Sequence, residues 1–251
     1  EKTEQIGRIV VHPTNPNIVF VAALGAAWRS NPERGIYRTT DGGATWQLVK
    51  FVSDKAGFID IAINPKDPNI LFAASWERYR TPYSLMSGGP GSALWKSTDG
   101  GTTWAEVKGG GWPDGVKGRI GLDINRSNPN VMYAMLEGTG LDAKGKWEPS
   151  RTPRDNGLWR SADGGATWTL VPPLTREHLF SVIWDTNRWV VVGDKGVMLT
   201  AEAGAQDWKL GKVFEGDIAW RTQIVKGGSR YYVAGANLGI LEDGKLTIVG
   251  R

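Results

Sequence analysis

An eight-residue stretch, TTDGGATW at residues 39–46, decides the fold because the chain repeats it. It returns as STDGGTTW at residues 97–104 and as SADGGATW at residues 161–168. A degenerate fourth copy at residues 200–208 keeps an acidic residue, a glycine and a tryptophan that comes one position late. Self-similarity with a period of a few tens of residues is typical of solenoids and propellers. The chain is therefore predicted to be a repeat protein.

A turn motif precedes each complete copy: NPNIVF at residues 15–20, DPNILF at residues 67–72 and NPNVMY at residues 128–133. In the segments before this motif, apolar residues that match between repeats alternate with residues that vary. Ile9, Ile61 and Leu122 thus occupy one equivalent position, or column, of the aligned repeats. A period of two indicates strands with one buried face, and segments this short and glycine-rich argue against helices. Each repeat is predicted to contain four strands, A to D, with the box in the C–D turn.

The number of repeats predicts the architecture. Five repeats in 251 residues give about 50 residues each, which is the length of a propeller blade. The fifth repeat has the tight-turn pair Asp243-Gly244 in place of the box. We predict an all-β fold, a single β-propeller domain of four-stranded antiparallel blades over residues 1–251. The five blades are expected at residues 5–50, 57–108, 117–172, 178–212 and 217–250.

Composition excludes several function classes. The chain has no cysteine and two histidines, so disulfides, thiol catalysis and thiolate metal sites are excluded, and we expect neither a metal nor a cofactor. A net charge of +4 with 30 basic and 26 acidic residues predicts no nucleic-acid partner. No apolar run approaches the roughly 20 residues that span a bilayer, so no membrane insertion is expected.

The boxes resemble the Asp-box (BNR) repeat, Ser/Thr-x-Asp-x-Gly-x-Thr-Trp. Residues 1–171 further resemble sortilin-like and xyloglucanase-like bacterial propellers, through HPTNPN at residues 12–17, RGIYR at 34–38 and RTP at 80–82. In residues 178–251, VVGDKG at 191–196 is similar to photosystem II assembly-factor propellers. The resemblance implies an extracellular or periplasmic protein, and it leaves open a fusion of two blade types.

The box itself is predicted to be structural. Its aspartate can accept backbone N–H groups across the C–D turn, and its glycines supply the positive φ that the turn needs. In related propellers these turns lie on the face opposite the ligand site. We expect the aspartates to bond turn amides and the tryptophans to be buried between blades: Asp41, Trp46, Asp99, Trp104, Asp163 and Trp168.

The B–C loops, which differ between blades, are the predicted ligand site. Those of the first three blades are long, at residues 23–35, 75–92 and 137–157, whereas the last two are a few residues each. Long loops on a rigid scaffold are usually functional, and Trp, Tyr and Arg are enriched at binding hot spots. We predict an extended polar ligand, a glycan or a peptide or protein segment, bound by a monomer or homodimer. The predicted ligand contacts are Trp28, Trp76, Arg78, Tyr79, Arg80, Tyr83, Trp147, Arg151 and Arg154.

Catalysis is the weaker hypothesis. A glycosidase needs two carboxylates roughly 5–9.5 Å apart across a cleft. The candidates are Asp60 and Asp123 on A strands, expected on opposite strand faces, together with Glu77 and Asp155 on loops. These supply no convincing acid–base pair, so non-catalytic recognition is favoured. A glycoside hydrolase of the Asp-box type, an assembly factor and an engineered fusion remain open alternatives.

Overall fold

A computed structural model describes residues 3–142, 144, 146, 155–203 and 206–250. The described residues form β-strands with almost no helix, apart from a short 3-10 turn at Asp194–Gly196. Every strand pairing within them is antiparallel. The sheets follow the order of the chain, so each repeat folds into one blade of propeller type. The predicted all-β class and the count of five blades are confirmed.

The chain divides into two compact units, and the first, residues 1–170, holds three blades. Blade 1 contains β1 (Ile6–Val11), β2 (Val19–Ala23), β3 (Gly35–Thr39) and β4 (Gln47–Lys50). Blade 2 contains β5 (Ala56–Ile63), β6 (Leu71–Arg80), the additional β7 (Leu85–Ser87), β8 (Leu94–Ser97) and β9 (Ala105–Glu106). Blade 3 contains β10 (Lys117–Ile124), β11 (Met132–Gly138), β12 (Gly157–Ser161) and β13 (Thr169–Leu170).

The second unit, residues 171–251, holds two blades. Blade 4 contains β14 (Leu179–Asp185), β15 (Arg188–Gly193), β16 (Val197–Glu202) and β17 (Lys209–Lys212). Blade 5 contains β18 (Arg221–Gly227), β19 (Arg230–Gly235), β20 (Leu238–Glu242) and β21 (Lys245–Gly250).

Strand register aligns the blades residue by residue. In each blade the pairing of the first two strands shifts by one residue near its start, as between Ile6 and Arg8 in blade 1. Beyond that bulge the cross-strand pairs correspond, so five residues occupy one position: Phe20, Phe72, Tyr133, Val190 and Tyr232. We call the side of a blade that carries this position its front face. The opposite side, which carries Ile9 or its equivalent, is the rear face.

The cores lie between consecutive blades of one unit. Front-face residues of blade 1, including Phe20 and Ile36, cluster with rear-face residues of blade 2, including Ile61. Phe72 on the front of blade 2 clusters with Leu122 on the rear of blade 3 in the same way. Blades 4 and 5 of the second unit repeat this front-on-rear arrangement. In the column that sequence alternation predicted to be buried, Ile61 and Leu122 are fully buried there, whereas Ile9 is 61% exposed, so the prediction was wrong for blade 1.

Candidate ligand site on the blade 2 hairpin

Strand β6 runs past the blade and forms a hairpin with β7. Arg78, Tyr79 and Arg80 pair with Ser87, Met86 and Leu85. The turn closes where the Thr81 amide donates to the Ser84 carbonyl at 2.8 Å. Residues 75–92 were predicted to be a loop, and for residues 75–80 and 85–87 this is wrong. A Thr-Pro turn here allows the chain to fold back on itself, so the backbone groups pair within the hairpin.

The hairpin presents aromatic and apolar side chains to solvent. Tyr83 at its tip is 97% exposed, and Tyr79, Leu85 and Met86 are each about half exposed. Trp76, by contrast, is 8% exposed, with the Arg78 guanidinium 5.0 Å from its ring centroid. The Trp76 ring therefore supports the hairpin from within the fold, and the exposed rings of the predicted site are those farther along the strand.

Blade 1 contributes a second exposed ring next to this hairpin. Trp28 is 57% exposed, and the Arg80 guanidinium lies 5.5 Å from its ring centroid. The Arg80 amide donates to the Ala27 carbonyl at 3.1 Å, which ties the hairpin to the blade 1 loop. Buried Arg34 holds that loop from beneath by donating to three of its carbonyls, those of Leu24, Ala26 and Arg29.

Arg78 is held by the residue that directly precedes β1. Its Nη2 donates to Oε1 of Gln5 at 2.6 Å. Burial lowers the pKa of Arg78, with a further lowering from the neighbouring charge of Arg80, yet a guanidinium stays protonated at neutral pH. The hairpin therefore carries two cations beside its aromatic rings, one half-buried and one exposed.

A cleft of about 230 Å³ opens beside the hairpin, lined by Ser30, Lys55, Glu77, Tyr79, Met86 and Gly88. It combines apolar walls with an ammonium, a carboxylate and a hydroxyl, which is the usual composition of a small-molecule site. Glu77 and Tyr79 were among the predicted site residues, whereas Ser30, Lys55 and Met86 were not. Lys55 lies in the link between blades 1 and 2, directly before β5.

Two glutamates fix the segment that follows the hairpin. Glu77 accepts the Gly91 amide at 2.9 Å through Oε2, and a Cβ on Gly89 would lie 2.5 Å from its carboxyl carbon. Glu137 Oε2 accepts the Ser87 hydroxyl at 2.6 Å and the Arg119 amide at 2.9 Å. Both carboxylates thus bind groups of the protein, and Glu77 does so at the edge of the cleft.

The strand-A aspartates Asp60 and Asp123 lie elsewhere, and by strand register both are on the front faces of their blades. They were expected on opposite strand faces, and this expectation was wrong. Asp60 Oδ2 accepts the Leu122 amide at 3.0 Å, and its Oδ1 lies 3.7 Å from Nε of Arg8. Burial raises the pKa of Asp60, while the Arg8 guanidinium and the amide bond act in the opposite direction. Asp123 is 4% exposed and accepts the amide of Ile124 at 2.9 Å. Neither carboxylate lines the cleft, and both have bonding roles in the scaffold.

The remaining predicted site residues belong to the blade 3 loop. Asp155 is buried, and its carbonyl accepts Nε1 of Trp159 at 3.0 Å, so the structure gives its backbone a packing role. Trp147, Arg151 and Arg154 lie outside the described residues, so their predicted contribution to the ligand face stays a prediction.

The box aspartates bond turn groups, as their sequence pattern predicted. Asp163 accepts the amides of Ala166 and Thr167 at 3.0 and 2.9 Å, as well as the hydroxyls of Thr167 and Ser161. These bonds stabilise the carboxylate and lower its pKa to about 2, and Asp99 has the same arrangement and a pKa of about 2. Equivalent bonds lower the pKa of Asp41.

Burial of the box tryptophans was predicted for all three blades and holds fully for one. Trp168 is 4% exposed, Trp104 is half-buried and Trp46 is 44% exposed. Trp168 is covered because Trp112, from the link between blades 2 and 3, packs on it at 4.9 Å between ring centroids. Trp46 lies on the rear of blade 1 and is not part of the cores between blades 1 and 2 or between blades 2 and 3. The prediction was therefore wrong for Trp46.

The described residues contain no helix long and apolar enough to cross a membrane. They also contain no group of three or more histidine, cysteine or acidic side chains placed to hold a metal ion.

Comparison with known proteins agrees with this geometry. The chain carries a BNR/Asp-box repeat. The repeat model matches residues 37–48, the first of the boxes. Xyloglucanase Xgh74A of Acetivibrio thermocellus is 26% identical over 178 residues, which is 65% of this chain and 19% of that protein. A xyloglucanase of Hypocrea jecorina is 26% identical over 260 residues, or 94% of this chain and 28% of that protein. The chain thus spans less than a third of the length of these relatives.

Solved structures share the fold at low identity. The GH74 enzyme of Niastella koreensis matches with a TM-score of 0.64 and 18% identity, over 98% of this chain and 37% of that one. A structure of YCF48 bound to D1 peptide matches with a TM-score of 0.58 and 14% identity, over 98% of this chain and 70% of that one. At these identities the likeness concerns the blades themselves, and the site must be argued from its own residues.

Proposed function

We propose that this protein is a recognition module that binds an extended carbohydrate chain on the blade 2 hairpin without cleaving it. The observation that carries the proposal is the exposed ring of Tyr79 at the edge of the cleft, with exposed Trp28 and Tyr83 on neighbouring segments. Flat aromatic rings can stack on the apolar faces of sugar rings. Rings distributed over a strand, a turn and a blade 1 loop suit a chain of several sugars.

The polar groups of the cleft fit the same ligand class. The Lys55 ammonium and the Ser30 hydroxyl can donate to sugar hydroxyl oxygens, and the Glu77 carboxylate can accept from sugar hydroxyls. The similarity to xyloglucanases supports a plant-type β-glucan, with xyloglucan as the first ligand to test.

The carboxylates favour binding over hydrolysis. A glycosidase needs one carboxyl as acid and another as base or nucleophile, both facing the scissile bond. Asp60 and Asp123 are buried in scaffold bonds, and Glu77 accepts a backbone amide. Hydrolysis remains the alternative, and release of reducing ends from xyloglucan is its assay. If reducing ends appear and Asp60→Asn or Asp123→Asn abolishes their release, the chain is a glycoside hydrolase.

Carbohydrate binding is tested by replacing two exposed aromatic rings of the proposed site and comparing these variants with a control tryptophan variant. Titration calorimetry with xyloglucan oligosaccharides should show that Trp28→Ala and Tyr79→Ala each weaken binding about tenfold or more, as hot-spot truncations do. Trp220→Ala is the control, because Trp220 is 47% exposed and belongs to the second unit, so it is part of neither the hairpin nor the blade 1 loop. Weaker binding by Trp220→Ala alone would place the site elsewhere.

A peptide ligand is the second candidate, favoured by the two hairpin cations Arg78 and Arg80. Guanidinium groups bind carboxylates through paired hydrogen bonds, so an acidic peptide would suit them. The YCF48 structure contains a bound peptide on the same fold, which makes a role as an assembly factor the corresponding function. A glycan array beside an array of acidic peptides separates the two. Binding to peptides alone, lost in Arg80→Ala, would replace the carbohydrate proposal.

A further inference from the structure

Two guanidinium groups of the blade 2 hairpin form no ion pair among the described residues. Arg78 donates instead to the neutral side chain of Gln5, with 2.6 Å between Nη2 and Oε1. Arg80 lies beside the Trp28 ring, and its backbone amide is bound to a blade 1 carbonyl. Burial and the charge of Arg80 both lower the pKa of Arg78, and no acidic side chain within the described ranges opposes this. A half-buried cation without an anion is costly, so such a group is a candidate for binding one.

The acidic side chains around the hairpin are bound to other groups. Glu4 pairs with Arg29, and the Glu137 carboxylate accepts the Ser87 hydroxyl at 2.6 Å. Glu77, the only carboxylate among the residues that line the cleft, accepts a backbone amide at 2.9 Å. Within the part of the first unit that the structure describes, the two hairpin guanidinium groups are therefore not neutralised by a direct partner.

Lys55 adds a third positive charge, on the cleft side of the hairpin. Its side chain is exposed at the cleft wall and forms no ion pair with any described residue. Successive residues of a strand point to opposite faces, so Arg78 and Arg80 share the face of β6 opposite to Tyr79. Each side of the hairpin thus combines positive charge with an exposed aromatic ring, Trp28 beside Arg80 and Tyr79 at the cleft.

We infer, on the basis of the proposed carbohydrate binding, that the chain bound at the hairpin is acidic and that Arg78 and Arg80 bind carboxylate groups on its sugars. A planar carboxylate accepts two parallel N–H bonds from one guanidinium group, which gives this pair both strength and a fixed geometry. The two arginines are two residues apart on one strand face, with Cα atoms about 7 Å apart, which suits a polymer that repeats its carboxylates. The ligand therefore contains uronic acids, in which the carboxylate is attached directly to the sugar ring.

The position of Arg80 favours a sugar acid over an acidic peptide. Its guanidinium lies 5.5 Å from the centroid of the Trp28 ring, which is 57% exposed. A uronate that stacks on this ring has its carboxylate at the edge of the same sugar, close to Arg80. A peptide carboxylate is at the end of a flexible side chain and offers the ring no flat apolar face. One rigid uronate thus contacts both groups at a lower cost in conformational entropy.

The first experiment compares two oligosaccharides that differ only in charge. Cello-oligosaccharides and the same chains oxidised at C6, which are β-1,4-linked glucuronates, share a backbone and differ in their carboxylates. Calorimetric titration at low salt should show about tenfold tighter binding of the oxidised chain, the gain expected from one charge-assisted pair. Methyl esterification of the carboxylates should remove this preference, and added salt should reduce it, because salt screens exposed charges.

The second experiment tests whether a hairpin arginine causes the preference. Arg80→Gln should reduce the ratio of acidic to neutral affinity by about tenfold, since one charge-assisted pair is lost. Arg80→Lys retains the charge but not the paired donors, so its ratio should lie between those of Arg80→Gln and the unmodified chain.

Lys66→Gln is the matched control for the loss of one positive charge. Lys66 is exposed and lies in the turn between β5 and β6, at the end of blade 2 opposite the hairpin. The ratio of acidic to neutral affinity should be the same in this variant as in the unmodified chain. Circular dichroism verifies that each variant is folded before titration.

Three results would overturn the acidic class of ligand. Equal affinity for the oxidised and unoxidised chains would show that the site does not distinguish charge. A preference that persists in folded Arg80→Gln would assign the recognition of charge to another part of the chain. Tighter binding of poly-glutamate than of the oxidised oligosaccharide would mean that the cations bind a peptide.

The same titrations separate the acidic class of ligand from carbohydrate binding as such. If xyloglucan and cello-oligosaccharides bind through Trp28 and Tyr79 with no gain from carboxylates, the proposed function stands and the acidic class is excluded. If no oligosaccharide binds, neutral or acidic, the proposed function itself fails.

Discussion

At the residue scale, the box shows that neighbouring residues in the sequence determine the hydrogen bonds of its aspartate. Each aspartate bonds groups within four residues of itself, so its role depends on the eight-residue stretch and on little else. This is why the sequence alone predicted its partners. The burial of the tryptophan at the end of the box depends on distant residues such as Trp112, and a local pattern contains no information about them.

The box aspartates should make stability depend on acid pH. The pKa of Asp163 falls from 3.8 to about 2 because the folded turn stabilises the carboxylate. A depressed folded-state pKa contributes stability above pH 3.8, and this contribution is lost as pH falls toward 2. The Asp163→Asn variant should unfold at lower urea concentration than the unmodified chain at pH 6, with the difference shrinking from pH 4 to pH 2.

A comparison at each pH between the unmodified chain and the variant removes the effect of other titrating groups. Asp207→Asn is the matched control, since this exposed aspartate lies near the degenerate fourth box and its replacement removes the same charge. A difference that shrinks in the same way for Asp207→Asn would show that loss of the charge, and not of the turn bonds, is responsible. A constant difference for Asp163→Asn would mean that the turn bonds do not discriminate between the charged and protonated carboxyl.

At the element scale, blades pack through a ring placed on a glycine, and the two glycines of each box should respond differently to substitution. Gly100 and Gly101 both have positive φ, so alanine strains either backbone by roughly 1–2 kcal/mol. A Cβ on Gly100 meets only Asn69 Oδ1 at 3.5 Å, whereas one on Gly101 overlaps the Phe20 ring. Gly101→Ala should cost about 1–3 kcal/mol more, as overpacked cores do.

Urea denaturation of the two variants measures this difference. Gly43→Ala supplies an internal control, because a Cβ on Gly43 would meet the Trp46 ring of its own box at an ordinary distance of 3.6 Å, and it should behave like Gly100→Ala. Equal destabilisation by Gly100→Ala and Gly101→Ala would show that the ring contact adds nothing to the packing of blades 1 and 2.

The blade 2 hairpin is an element that the sequence analysis did not predict. The sequence indicated an unusual B–C segment in blade 2, and the ligand contacts assigned to its residues Trp76, Arg78, Tyr79 and Arg80 stay predictions. It was interpreted as a loop because strand B was matched to the shorter strands of the other repeats. Exposure rises along β6, from buried Trp76 through half-buried Arg78 to exposed Tyr79, because the end of this strand leaves the blade and pairs with β7.

At the scale of the whole molecule, the repeat predicted the number of blades, and it could not predict how they group. The packing of the front face of one blade on the rear face of the next depends on residues that recur at equivalent positions of the repeats, such as Phe20 and Phe72. The division comes directly after β13, just before Pro172 and Pro173, and it coincides with the change of resemblance between residues 1–171 and residues 178–251. Which side chains pack within each unit depends on the folded arrangement of many residues together.

The two units should respond separately to core substitutions. The clusters around Leu122 and Ile224 share no residue, and each lies within one unit. Leu122→Ala should cost about 2–5 kcal/mol and reduce hydrogen-exchange protection in β5–β13, whereas Ile224→Ala should do so in β14–β21. Exchange measured by mass spectrometry on peptides resolves the units, with the exposed Ile218→Ala as a control that should change neither. Protection that falls equally in all strands would show a single cooperative fold, in which loss of either core opens every blade.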